Sequence, residues 1–284
     1  WANSKFFAVG LFSGTNTPII TSTDGITWTQ VSFFQTALKS IAFSGTLLNA
    51  TGTGTTARSS DSGTTWATRK PQGSLTTIAY NGSVYVLGGS DKTCSTSTDG
   101  VWWVRRSDFT YPVNKIMTSG SLFVAIGGQA PAGYIATSTD GITWTTRTSP
   151  ASAVWLSGDF GAGRFVISSN SASNAYTSTD GITWVHSPDI GVSGAVSSVT
   201  FANGIFFALA ATSPGYSYDG ITWRTAVGLP AALNSLAWNG SVFAAVASGV
   251  CFTSTDGVNW VSRSSTFPTG ITSIAASGGT FIAH

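Results

Sequence analysis

An all-β fold made of one small sheet repeated around a ring is predicted by three features of the chain. A seven-residue string returns at spacings of 37 to 41 residues, a second string built on Asn-Gly falls about midway between its copies, and no run of 10 residues carries helical periodicity. The first string reads Ser22-Thr-Asp24-Gly25-Ile-Thr-Trp28 and recurs with the same letters ending at Trp144 and Trp184. Variants end at Trp103, Trp223 and Trp260, and a copy one residue longer runs from Ser59 to Trp66.

The second string is clearest at Tyr80-Asn81-Gly82-Ser83 and Trp238-Asn239-Gly240-Ser241, each between short runs rich in β-branched and aromatic residues. Asn-Gly in that setting predicts a hairpin with a type I′ turn, because both central residues then need positive φ. Asp-Gly in the first string predicts a second hairpin. Each repeat therefore holds four strands, a to d, with a–b turned by Asn-Gly and c–d by Asp-Gly.

A four-stranded unit of about 40 residues is the blade of a β-propeller. One blade alone cannot cover both of its apolar faces, whereas blades stacked around an axis cover one another. The prediction is one domain over 1–284 with seven blades, the closing blade formed by 1–31 with 271–284; eight blades, or a piece of a longer array, is the alternative. Residues 279–284 repeat the pattern of 4–10 as a second strand b, which the seven-blade scheme does not absorb.

Composition agrees with a fold that hides most strand positions. Hydrophobic residues make up 42% and charged residues 8%, and the formal net charge is +2. Disorder, which requires high charge and few aromatics, is excluded. The 13 Lys and Arg are spread without a basic stripe, so no nucleic-acid partner is expected. No apolar run reaches the roughly 18 residues that cross a bilayer, so membrane insertion is not expected either. There is no leader pattern, and because the chain begins at Trp1 an upstream segment is expected to have been removed or left out. All 11 acidic residues are Asp, so mechanisms that need glutamate are out.

The repeated string Ser-x-Asp-x-Gly-x-Thr-Trp resembles the Asp-box, or BNR repeat, of sialidases, xyloglucanases, sortilin-type receptors and a photosystem assembly factor. The copy ending at Trp66 has that spacing; the other six are one residue shorter before the glycine. The resemblance implies a propeller in which the box is a structural turn on the face opposite the usual active site. Asp24, Asp61, Asp99, Asp140, Asp180, Asp219 and Asp256 are accordingly read as turn acceptors rather than acids or metal ligands, and Trp28, Trp66, Trp103, Trp144, Trp184, Trp223 and Trp260 as packing rings. Cys94 and Cys251 precede their box Asp by five residues in repeats four apart, too distant for a disulfide, and are expected as buried free thiols.

Sialidases resembling this fold use a Tyr–Glu pair, which a Glu-free chain lacks. An inverting glycosidase needs two carboxylates about 6.5–9.5 Å apart. Asp91, in a b–c loop, and Asp108, in the following crossover, are the candidate pair; the alternative is two solvated loop carboxylates. His186 and His284 lack clustered partners, so no metal site and no cofactor are expected. Gly52-x-Gly54 resembles a dinucleotide loop only in letters, since no helix pattern follows.

The loops opposite the boxes carry aromatic residues suited to stacking on sugar rings: Phe33, Phe34, Phe109, Tyr111, Tyr134 and Phe267, with Arg106 beside them. Alternatively these rings fold back and hold the crossovers to the blade. Arg69, Arg106, Arg147 and Arg263 each follow a box Trp by three residues, either as a cationic ring for an acidic glycan or as charges guarding the outer strand edge. The function expected is a non-enzymatic binding module for a glycan or a cell-surface receptor, such as a tail-fibre domain, placed extracellularly or on a virion surface. The alternatives are a propeller docking a neighbouring protein of a larger assembly, and a glycosidase using Asp91 and Asp108.

Overall fold

Short strands separated by Asx-type turns can satisfy their backbone only by pairing with the next strand in sequence, and they do so throughout the molecule. The computed structural model describes residues 17–21, 29–34, 38–43, 47–52, 55–61, 65–69, 73–170, 175–187, 195–210, 213–231, 233–247, 250–263, 274–277 and 280–283. They form six four-stranded antiparallel sheets: blade 1 (38–69), blade 2 (75–105), blade 3 (113–147), blade 4 (155–187), blade 5 (196–225) and blade 6 (235–263). Blade 3 shows the plan, with Val113–Thr118 pairing Phe123–Gln129, then Ala132–Ser138, then Thr145–Arg147.

Six blades, not the expected seven, are therefore described. The strands expected to share a closing blade stand as two separate hairpins, Thr17–Thr21 with Thr29–Phe34 and Ile274–Ser277 with Thr280–Ala283. Thr280–Ala283 lies alongside Thr17–Thr21, but no hydrogen-bonded register joins them into one sheet. Residues 4–10, the first copy of the duplicated strand, lie outside the described residues.

The a strands line the inside, each beside the a strand of the next blade. In blades 1 to 5 this strand has a register shift at the same place, for instance between Leu75 and Thr77 and between Val113 and Lys115. A bulge re-aims the extra side chain, and here it is aimed across the seam. Thr76 donates to Val113 O (2.6 Å) and Asn114 to Trp155 O (2.8 Å). One residue further on, hydroxyls accept from the neighbouring a strand: Ile78 N donates to Ser40 Oγ, Ile116 N to Thr77 Oγ1 and Val199 N to Ser157 Oγ.

Between blades the filling is mostly apolar. Val86 and Cys94 of blade 2 meet Val113 and Phe123 of blade 3, and Val124 and Ile126 of blade 3 meet Trp155 and Phe165 of blade 4. Burying such a side chain contributes about 1.5–3 kcal/mol, so each seam stabilises the ring by several such increments. Cys94 and Cys251 are buried free thiols, as expected, and burial pushes both up to about 11.

The a–b turns divide in two. At Asn203-Gly204 both residues have positive φ and the strands close directly from Ala202 to Ile205, as expected of Asn-Gly. At Asn81-Gly82 only the glycine does, and four residues separate the paired Tyr80 and Tyr85. There the Asn81 side chain closes the loop, accepting from Ser83 N and Val84 N, and Asn239 does the same for Ser241 and Val242. The side-chain amide thus replaces the backbone strain a type I′ turn would impose.

Candidate functional site

Strand alternation puts the a–b and c–d turns on one face and the b–c loops and d–a crossovers on the other. On the turn face, the Ser-x-Asp-Gly sequence builds the same device in blades 2 to 6. Ser97 Oγ donates to Asp99 Oδ1 and accepts from Gly100 N, while Asp99 Oδ1 also accepts from Val101 N and Trp102 N. Asp140, Asp180, Asp219 and Asp256 repeat these bonds at 2.8–2.9 Å. In the longer copy, Asp61 takes both Thr65 N and Thr65 Oγ1. The Thr65 hydroxyl holds Asp61 down to about 2, and the Thr143 and Ile142 amides hold Asp140 to about 2. Carboxylates so engaged are locked ionised as turn acceptors. The box containing Asp24 and Trp28 lies outside the described residues.

The box tryptophans turn inward, Trp144 against Phe109 and Phe123, and Trp260 against Phe207 and Phe243. Trp144 and Trp260 also donate from Nε1 to the box glycine carbonyl at 3.1 Å. Trp66 and Trp184 are half-buried, and Trp223 is buried.

Beside the boxes, two blades carry small cups with similar polar linings. One, of about 210 Å³, is lined by Thr137, Ser138, Asp140, Thr143 and Arg147; the other, about 230 Å³, by Tyr216, Ser217, Asp219, Thr222 and Arg224. Both fall below the roughly 300 Å³ where drug-sized pockets begin. Each has room for one small polar unit, and hydroxyls, a carboxylate and a guanidinium surround it.

The arginines expected three residues after a box Trp are tied across the sheet. Arg106, Arg147 and Arg263 donate through Nε to Thr96, Thr137 and Thr253, each at 2.8 Å. Blade 4 has Ser187 at this place, and the matching Thr177 hydroxyl is buried with no hydrogen-bond partner among the described residues. The Arg69 side chain is outside the described residues.

On the loop face, Phe109 and Tyr134 are each 3% exposed and pack edge to face, with Tyr111 half-buried against Tyr134. They hold the crossover to the blade. The side chains of Phe33 and Phe34, and all of Phe267 and His284, lie outside the described residues. Phe109 N donates to Lys92 O, so the loops of Asp91 and Asp108 are neighbours, as their topology suggested. Asp91 accepts from Ser74 N and Thr93 N; burial pulls its pKa up, but the Thr93 hydroxyl and these amides outweigh it and lower it. Asp108 pairs with Arg105 at 2.7 Å and is half exposed. Asp91, with its pKa lowered, is not held protonated as a general acid would need to be, and the Asp108 carboxylate is engaged by Arg105. His186 packs edge to face against Tyr176, and among the described residues no cluster of His, Cys and Asp has the makings of a metal site.

Asp159 lies in a glycine-rich stretch, Gly158 to Gly163, that gives no sequence signal of a role. It bridges blades 4 and 5, accepting from Phe160 N and Phe201 N at 2.9 Å; burial raises its pKa against the pull of Lys115. Trp102, 74% exposed within a box, was also missed, hidden beside the packing ring Trp103.

No family model matches the chain, and no curated protein matches it. Solved structures do. The computationally designed Ika8 protein superposes with a TM-score of 0.70 at 13% identity, over 99% of this chain and 96% of that one. YCF48 from Cyanidioschyzon merolae gives 0.69 at 14% identity, over 90% and 98%. The WD40 β-propeller domain of Doa1 gives 0.67 at 10% identity, over 89% and 94%. Likeness at such identities carries the backbone and no chemistry. What it establishes is a β-propeller fold of the kind seen in the YCF48 and WD40 structures.

Proposed function

We propose that the chain is a non-enzymatic binding module that recognises a glycan or another cell-surface structure, acting outside the cell or on a virion surface as a tail-fibre domain would. The observation that carries this reading is the recurrence of one cup chemistry on separate blades: Thr143, Asp140 and Arg147 on blade 3, and Thr222, Asp219 and Arg224 on blade 5. Small polar sites of like residue types on separate blades suit a ligand that itself repeats, because engaging two at once multiplies weak affinities. The terminal hairpins are proposed to complete the ring as a closing blade, formed by 1–31 with 271–284 and making one domain of the whole chain. A glycan array probed with the full chain tests the function. Hits shared by structures with a common sugar unit are expected, and a blank array at high protein concentration would count against the reading.

A second reading, docking of a neighbouring protein, is favoured by apolar side chains repeated at equivalent exposed places. Ile142, Ile182 and Ile221 follow the box glycines of successive blades, and Val104, Val185 and Val261 open their d strands. Exposed apolar groups arrayed in this way mark interaction surfaces. Substituting Ile182→Lys together with Val185→Lys would abolish such docking and leave glycan hits unchanged.

A further inference from the structure

One box departs from its sisters at the place just before its tryptophan. The place before the box Trp holds a short polar residue, Thr65, Thr143, Thr183, Thr222 or Asn259, in five of the six described copies, and the Thr65 and Asn259 side chains donate to the second oxygen of their box carboxylate. In blade 2 it is Trp102. An indole there has no hydroxyl to give, and the bonds of Asp99 are all made through Oδ1, to Ser97, Val101 and Trp102 N. The second carboxylate oxygen, Oδ2, is left for solvent.

The ring itself does no packing work. Trp102 is 74% exposed, more than any other large hydrophobic side chain among the described residues, and Val104, also exposed, follows two residues on. A large aromatic face held in water beside an acceptor with a spare oxygen is the chemistry that binds a sugar ring. The C–H face of the sugar stacks on the indole, and a hydroxyl donates to the carboxylate. The turn is rigid, since Trp102 N is bonded to Asp99 Oδ1 at 2.9 Å, so stacking costs little conformational freedom.

We propose that Trp102 and Asp99 form a sugar-stacking subsite on the turn face of blade 2, specific for a neutral hexose unit. This deepens the glycan reading and rests on it. An acidic sugar would meet Asp99 as a like charge, and the nearby Arg105 is already paired to Asp108.

The test is affinity electrophoresis of the full chain through gels containing neutral polysaccharides (glucans, mannans and galactans in turn), with Trp102→Thr and Asp99→Asn compared. Trp102→Thr restores the residue of the sister boxes, so it should fold and melt no lower than the parent. Retardation of the parent by at least one neutral polymer, reduced about tenfold or more by Trp102→Thr and weakened by Asp99→Asn, is expected. It should persist at 0.5 M salt, because a stacking contact with a neutral ring is not screened. Retardation unchanged in Trp102→Thr would overturn the subsite while leaving the glycan reading in place. No retardation of the parent by any polymer would overturn both. Loss at 0.5 M salt, or displacement by choline, would show instead a site for a cation on the indole face.

Discussion

At the seam between blades 2 and 3, Val86 lies beneath the box glycine Gly141, and at the seam between blades 3 and 4 Val124 lies beneath Gly181. At the seam between blades 1 and 2 the same slot, beneath Gly100, holds Asn49. Asn49 is fully buried, and among the described residues neither its Nδ2 nor its Oδ1 has a hydrogen-bond partner; Thr51 Oγ1 and Arg58 Nε on the same blade also lack one there. The backbone plan is shared and the filling is opposite. In a ring whose stability is close to a sum over neighbouring contacts, one polar seam sets where the ring opens first. A buried polar group left unpaired costs about 1–3 kcal/mol. The difference teaches that repetition of the turns does not entail repetition of the core.

The sharpest way to confirm the apolar side of this contrast is Phe123→Ala. Phe123 is fully buried in the seam between blades 2 and 3 against Trp144. Truncation should cost about 3–5 kcal/mol, measured from the denaturant midpoint at unchanged slope. A loss below about 1 kcal/mol would mean that this seam contributes far less than its burial implies.

Asn49→Val probes the polar side and should act in the opposite direction. It gives blade 1 the residue found at this slot in blades 2, 3 and 4, namely Val86, Val124 and Val166. Removing two unpaired polar atoms should raise stability by about 1–3 kcal/mol. A comparable drop would show that Asn49 is satisfied in solution, by enclosed water for instance, and the contrast between the seams would become one of wet against dry.

Much of this architecture could be read before any coordinates. The spacing of Trp28 to Trp260 implied blades, and Asp-Gly at six of the seven boxes implied the c–d turn, because a short acceptor followed by a glycine has few other uses at fixed intervals. The number of complete blades was not legible. Strands at the two ends of a chain look alike in sequence whether or not they pair, and 17–34 and 274–283 prove to be separate hairpins. Nor was the burial of Phe109 and Tyr134, since an aromatic residue in a loop reads the same whether it faces water or folds back. Asn49 was silent because alternation along a strand reports direction, not what lies opposite. Trp102 was audible only as a departure from the repeat, a signal that emerges once the other described copies are seen to keep a short polar residue at that place.

The smallest effect per site comes from acid, and it cuts across both seams alike. Every described box carboxylate has its pKa lowered below the ordinary aspartate value, Asp61 and Asp140 to about 2. An unfolded aspartate titrates near 3.9, so the folded state binds fewer protons between these values. The boxes' contribution is therefore complete above about pH 5 and is lost as pH falls from about 4 to 2. Each site is exposed, so solvent screening keeps its share small, and only their number makes the decline measurable. Asp159, whose pKa is raised, works the other way but does so once. The melting temperature should stay level from pH 8 to 5 and then drop, with Asp140→Asn showing a shallower drop from a lower start. Because the same device caps both seams, the gain from Asn49→Val should be as large at pH 3 as at pH 7. A gain that disappears in acid would mean that the Asn49 slot and the Asp99 turn above it respond as one unit, and the polar seam would then owe its character to the box rather than to the strand beneath.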